Sequence, residues 1–307
     1  MRAFYSDHFV LPLPAGHRFP MDKYRRLRER CVAEGVLQAG DLREAPAIGW
    51  ETLGSVHTWS YLAAVRDGTL DAREQRRLGF PWSPQFVERS RRSAGATLAA
   101  ATAALDGAGV AVNLAGGTHH AHAGHGEGFC VFNDAAVTIR ALQAEGRVRR
   151  AAVIDCDVHQ GNGTAEIFAS DPDVLTFSLH GADNYPFRKA RSTIDVALPS
   201  GAGDAAVLAA LELHLADVVV GFRPDLVVYL AGADPFREDR FGRLAMSKDG
   251  LAERDELVLQ ECRGNGVPVA VVMAGGYGRD TADTVDIHLE TVRLAAGCAR
   301  VLAPVAG

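Results

Sequence analysis

The 307-residue sequence has no apolar run approaching the ~20 residues of a membrane-spanning helix. Its opening, Met1-Arg2-Ala3-Phe4-Tyr5-Ser6-Asp7-His8, lacks the unbroken apolar core of a secretory signal. The expectation is a cytoplasmic protein with no membrane span. A basic cluster is missing too: lysines and arginines are scattered and the formal charge is −6, so the electrostatic footprint of a nucleic-acid partner is absent. Cysteine is scarce. Cys31, Cys130, Cys156, Cys262 and Cys298 are odd in number, widely spaced and form no C-x-x-C pair, which points to buried thiols in a reducing compartment rather than to disulfides or ligands. No repeat, low-complexity stretch or linker divides the chain, so residues 1–307 read as one domain. With 48% hydrophobic residues it has the material for a substantial core.

What is present is an alternation of short apolar strands with helical segments, the pattern of a parallel sheet covered on both faces. The predicted strands are 110–115, 151–155, 174–179, 193–198, 226–231 and 267–273, with a further one within 4–10. Helices are predicted over 22–37, 133–145, 164–168, 204–221, 248–263 and 281–301. Another runs from the Ser83-Pro84 start, an N-cap followed by proline at the first helical position, to Leu105. Short helices open at His57 and Asp71, and 41–50 reads as loop. The fold class is therefore α/β, with a central, mostly parallel sheet flanked by helices.

In this layout the polar residues collect just past the carboxyl ends of the strands, where open α/β sheets keep their ligands. The runs are Gly116-Gly117-Thr118-His119-His120, Asp155-Cys156-Asp157-Val158-His159, Ser178-Leu179-His180, Ala231-Gly232-Ala233-Asp234 and Gly275-Gly276-Tyr277. Asp157 and His159 are two apart, hence on one side of an extended segment, and an oxygen with a nitrogen ligand suits Zn²⁺. Asp234, after a glycine that allows close backbone approach, is the third candidate ligand. Three protein ligands leave an open position, as a catalytic zinc site requires.

His119 and His120 follow two glycines, and one of these imidazoles can take a proton from a metal-activated water and return it to a leaving group. Asp155 can accept the distal N–H of one ring, and Asn162 can orient the other without adding charge. Tyr277 can aim its hydroxyl at a developing oxyanion. Phe129, Tyr185 and Phe241 are aromatics in loops at this rim, suited to wall a narrow channel. His122 and His125 read as ordinary loop residues.

These runs resemble the zinc-dependent histone deacetylase superfamily, which includes acetoin-utilisation-type proteins, acetylpolyamine deacetylases and class IV deacetylases. The matching segments are Gly117-Thr118-His119-His120, Gly128-Phe129-Cys130-x-x-Asn133-Asp134, Asp155-x-Asp157-x-His159-x-Gly161-Asn162-Gly163-Thr164, Ser178-Leu179-His180, Ala231-Gly232-Ala233-Asp234 and Gly275-Gly276-Tyr277. His17-x-Phe19-Pro20 and His57-x-x-x-Tyr61-Leu62 extend the likeness toward the N-terminus. The resemblance implies an arginase/deacetylase fold and hydrolysis of an acyl-lysine-like amide. It implies zinc on Asp157, His159 and Asp234, His120 as general base and then acid, His119 as electrostatic support, and Tyr277 polarising the carbonyl. It also implies a structural potassium held by carbonyl oxygens of Asp155, Asp157 and His159 with Ser178 and Leu179. Phe129 matches the channel phenylalanine. Asn162 stands where some members carry Asp, and the loop before Tyr185 is short.

The expected function is zinc-dependent removal of an acetyl or longer acyl group from an acylated lysine peptide, a polyamine or a small acyl-amide. One rival is a noncatalytic acyl-lysine-binding module. Another is a binuclear ureohydrolase on the same fold, which the glycine at 161 and the lack of a second Asp two residues from Asp234 disfavour. Neither substrate nor oligomeric state is legible from spacing.

Overall fold

The structure is a computed structural model that describes residues 1–302, with side chains through residue 299. Eight strands form one sheet: β1 (Arg2–Tyr5), β2 (Leu42–Glu44), β3 (Val110–Asn113), β4 (Ala151–Asp155), β5 (Val174–Gly181), β6 (Ile194–Leu198), β7 (Leu226–Leu230) and β8 (Val269–Val272). Every pairing is parallel, in the order β2-β1-β3-β8-β7-β4-β5-β6. Strands β3, β4, β5, β7 and β8 are buried at every position, as strands covered on both faces must be, and so they read as continuous apolar runs. The edge strand β6 alternates partly buried with exposed positions.

The helices are α1 (Lys23–Ala33), α2 (Trp50–Leu53), α3 (Trp59–Asp67), α4 (Ala72–Leu78), α5 (Pro84–Ala103), α6 (Asp134–Ala144), α7 (Asn162–Ile167), α8 (Asp204–Ala216), α9 (Lys248–Gly264) and α10 (Thr281–Leu302). One face of the sheet packs against α1, α8, α9 and α10, and the other against α5 and α6. A third apolar cluster, formed by α2 to α4 with Phe80, Phe86 and Phe132, backs the loop that carries Phe129. The Ser83 hydroxyl accepts from the Phe86 N–H at 3.1 Å, so the predicted cap and N1 proline start α5 as expected.

Several boundaries differ from the sequence reading; helix α1, for one, ends at Ala33 rather than at 37. The first strand is Arg2–Tyr5 rather than a segment extending to residue 10. The predicted loop 41–50 contains β2, three residues held only by their register on β1, and then α2. Helix α8 ends at Ala216, and the chain continues to Gly221 as a single wider π turn.

This topology concentrates the site. The last two strands, β7 and β8, insert between β3 and β4, so the strands whose carboxyl ends carry the polar runs are the five adjacent ones β3-β8-β7-β4-β5. Residues separated by more than 150 positions in the chain thereby emerge side by side.

Candidate active site

Asp157, His159 and Asp234 offer ligand atoms that all lie within 4.8 Å of one another. The Asp157 carboxylate accepts the Gly275 N–H through Oδ2 at 2.7 Å and the His159 N–H through Oδ1 at 2.9 Å. Asp234 Oδ1 accepts the Val158 N–H at 2.9 Å. These backbone donors turn Asp157 Oδ1 and Asp234 Oδ2 toward His159 Nδ1, at 2.9 and 3.2 Å. Glycine is required alongside: a Cβ at Gly275 would stand 1.9 Å from Asp234 Oδ2 and 2.5 Å from Asp157 Oδ2.

Both carboxylates are buried, and among the described residues neither pairs with a lysine or arginine. Uncompensated buried charge is costly, so two acids and an imidazole around one space fit a divalent cation of the zinc type. The local field says the same. Burial opposes charge on His159, but Asp157 and Asp234 override it and raise the imidazole to about 10. Burial and then the charge of Asp157 push Asp234 up to about 7.

The His119 and His120 rings lie side by side, centroids 4.1 Å apart and planes inclined by 50°. His119 Nδ1–H donates to Asp155 Oδ2 at 2.7 Å, and Asp155 Oδ1 is itself fixed by the Asp157 N–H at 3.1 Å. Burial works against charge on His119, yet Asp155 and Asp157 prevail and bring it up to about 9. His120 Nδ1–H donates to Asn162 Oδ1 at 2.6 Å. There burial, reinforced by His119 and His159, holds the ring well below an ordinary imidazole. With Nδ1 protonated and bound, His120 keeps Nε2 as its free lone pair.

Tyr277 follows Gly275 and Gly276 out of β8, and Asp239 Oδ2 accepts its backbone N–H at 2.6 Å. Burial, with Asp157 and Asp234 adding to it, raises the phenol well above its ordinary range, so it remains an O–H donor. Lys23, itself buried, donates to Gly276 O at 3.1 Å and sets its ammonium 5.1 Å from the Tyr277 ring centroid.

Phe129, Tyr185 and Phe241 all line the same cleft, of about 410 Å³, whose floor carries Asp157, His159, His119, His120 and Tyr277. Phe129 adopts φ 67°, unusual for a bulky residue, and is held there by hydrogen bonds from the Gly128 and Phe129 N–H groups to Arg77 O and Leu78 O. Its ring packs 5.2 Å from Phe19 and 5.2 Å from Phe80. The Tyr185 ring meets His120 edge-on at 5.0 Å, and Phe241 lies 4.9 Å from Tyr277. Ser178 sits opposite Asp155 in the β4–β5 register, with Oγ 3.0 Å from His180 Nδ1, and Leu179 is buried beside it.

Sequence reasoning missed Glu127. Asn162 Nδ2 donates to Glu127 Oε1 at 2.7 Å and lies 3.1 Å from His122 Nε2. Burial would raise the Glu127 carboxyl, but hydrogen bonds to His122, His125, Asn162 and Tyr185 hold it well below the usual range. His122, His125 and Glu127 thus form a polar knot behind Asn162 rather than a bare loop. Phe19 was flagged only as part of His17-x-Phe19-Pro20, and nothing in the spacing linked it to Phe129.

With this geometry in view, the chain belongs to the histone deacetylase family: the histone deacetylase domain profile matches residues 17–292. A Picosynechococcus protein, itself uncharacterized, is 44% identical over 284 residues, which is 92% of this chain and 94% of the relative. A histone deacetylase-like amidohydrolase of Pseudomonas aeruginosa is 33% identical over 282 residues, 87% of this chain and 74% of the relative. The solved HDA15 HD domain superposes with a TM-score of 0.81 at 25% identity, covering 96% of this chain and 88% of that one. The fold is the arginase/deacetylase fold and the chain is a hydrolase of the deacetylase type.

Proposed function

We propose that the protein is a zinc-dependent amidohydrolase that removes an acyl group from a lysine-like amine, with residues 1–307 acting as one catalytic domain. The observation that carries this reading is the meeting of Asp157, His159 and Asp234, the first two of which line the floor of the cleft together with His119, His120 and Tyr277. A zinc ion held by those three residues supplies Lewis-acid polarisation of the amide carbonyl and acidifies the attacking water.

The chain's own groups do the rest. His120, neutral and with Nδ1–H tied to Asn162, takes the water proton on Nε2 as the oxygen attacks the carbonyl carbon. The His119 imidazolium, paired with Asp155, stabilises the negative charge that accumulates. The Tyr277 O–H donates to the oxyanion as the C=O bond becomes single. His120 then passes its proton to the amine as the C–N bond breaks, leaving a carboxylate and a free amine. Phe129, Tyr185 and Phe241 hold the acyl-amine stem in the channel and exclude water.

The carbonyl oxygens of Asp155, Asp157 and His159, with Ser178 and Leu179, would be the holders of a structural potassium, since an all-oxygen donor set suits a hard cation. Five free thiols, all buried, suit a reducing, cytoplasmic setting.

The test is release of free carboxylate from acyl-lysine peptides and acetylpolyamines, from acetyl to long fatty acyl, with and without a zinc chelator. Chelator-sensitive release, restored by one equivalent of zinc, is the expected result. A folded, zinc-loaded protein that binds acyl-lysine but releases nothing would instead be an acyl-lysine reader.

A further inference from the structure

Arg18, Arg77 and Arg243 are exposed and line the cleft along with its floor residues, and Asp183 is the only carboxylate among the exposed lining residues. The chain as a whole carries −6, so this entrance reverses the sign of the molecule. The three guanidiniums are uncommitted among the described residues. Arg77 and Arg243 meet their neighbours through the backbone alone, Arg77 O accepting from Gly128 N–H and Arg243 N–H donating to Asn184 Oδ1. Some exposed arginines elsewhere are paired, Arg25 with Glu29 and Arg66 with Asp67, and others such as Arg188 and Arg237 are not, so what sets these three apart is their meeting around one cleft. Asp183, for its part, accepts from Ser200 Oγ at 2.8 Å.

We propose that the cleft selects acyl amines whose carrier bears a carboxylate or phosphate close to the amide, and discriminates against polycationic carriers such as acetylpolyamines. This rests on the deacylase reading above and names its substrate class. A guanidinium presents a planar fork of donors that matches a carboxylate or phosphate in two hydrogen bonds, and three unpaired forks around one opening leave a cationic carrier with repulsion and no compensating acid but Asp183. The buried acids below do not reverse this, because in the zinc-loaded chain the metal's charge would offset those of Asp157 and Asp234. Three unit charges acting through water at about 8 Å together change kcat/KM by about tenfold. That difference shrinks as salt shortens the Debye length toward about 3 Å at 1 M.

The experiment uses the zinc-loaded full chain and acetyl-lysine peptides that differ only in flanking residues, Glu, Gln or Lys. Free Nε-acetyl-lysine, a small carboxylate-bearing acyl amine, and N-acetylspermidine complete the set. The same measurements are made on R18Q/R77Q/R243Q, at low salt and at 1 M salt. The expected result at low salt is kcat/KM about tenfold higher for the Glu-flanked than for the Gln-flanked peptide and about a hundredfold higher than for the Lys-flanked one, with acetylspermidine poorest. The order should flatten to within about twofold at 1 M salt and in the triple variant. A peptide source is indicated if the Glu-flanked peptide outruns free acetyl-lysine, and a small-molecule source if the reverse holds. Equal rates across the charge series, or preference for the cationic members, would overturn the inference while leaving deacylation intact. If nothing is hydrolysed, anisotropy of the labelled peptides separates the two readings: an acid-over-base order of affinity retains the charged entrance and removes the hydrolase, and no order overturns the entrance as well.

Discussion

His119 and His120 are adjacent in the chain, with rings in contact and both buried, yet their chemistry is opposite. The Asp155 carboxylate brings His119 up to about 9, whereas His120, given only the neutral Asn162 amide, stays well below an ordinary imidazole. Since burial is shared, the difference comes from the charges around each ring: Asp155 and Asp157 beside His119, and His119 and His159 with the neutral Asn162 amide beside His120. Two like groups whose environments drive their affinities for protons apart divide the labour of charge stabiliser and base between them.

The most severe way to break the comparison is to remove one ring at a time. His120→Ala should lower kcat by about 10²–10⁴, the usual contribution of a positioned acid–base group, and His119→Ala by at least about tenfold less. Equal losses in single-turnover assays would show that the two rings share the proton transfer. Next in size is Tyr277→Phe. It should cost about 10²–10³ in kcat, as for loss of an oxyanion donor, while metal analysis still finds one zinc per chain. Near-normal turnover would remove the phenol from the mechanism.

Exchanging the partners sharpens the comparison without removing either ring. The base works in its neutral form, so kcat/KM falls as pH drops through the pKa of His120, placing the acid limb below 6.5. The His119 cation is lost as pH rises through its own value, placing a basic limb near 9. Asn162→Asp gives His120 a charged acceptor, raises its proton affinity and moves the acid limb up by about one pH unit or more. Asp155→Asn withdraws the charge that holds His119 up and moves the basic limb down. Limbs that stay in place in either variant would show that these rings do not set the profile.

The same contrast separates what the sequence made legible from what it hid. Asp155 and Asn162 could be matched to the two rings because each lies within a few residues of a strand end whose apolar run announces it. The five central strands were readable for that reason, and the clustering of Asp157, His159 and Asp234 with them, since a strand's carboxyl end places its next few residues at the rim whatever the rest of the chain does. Strand β2 was not readable. Three residues of mixed polarity have no periodicity of their own, and only the register with β1 makes them a strand. Glu127 was hidden for a related reason. Its hydrogen bond to Asn162 joins two loops 35 positions apart, a contact set by the packing of the loop after β3 against the start of α7 and by no spacing within either segment.

Glu127 therefore supports the least conspicuous and most diagnostic prediction. A carboxylate can only accept, so it compels Asn162 to present Nδ2 to it and Oδ1 to His120, which fixes the protonated nitrogen of the base. Glu127→Gln replaces a charge-assisted hydrogen bond with a neutral one and lets the amide turn over. The loss corresponds to about 1 kcal/mol, or about fivefold in kcat. KM should change less than kcat, because Glu127 does not line the cleft and reaches it only through Tyr185. In an Asn162→Asp background the sign reverses. There the native Glu127 would face a second carboxylate where it formerly met an amide N–H, and Glu127→Gln restores a donor between them. The double variant should be more active than Asn162→Asp alone. A packing defect caused by losing Glu127 would lower activity in both backgrounds, so only a residue that works through the orientation of position 162 gives opposite signs in the two.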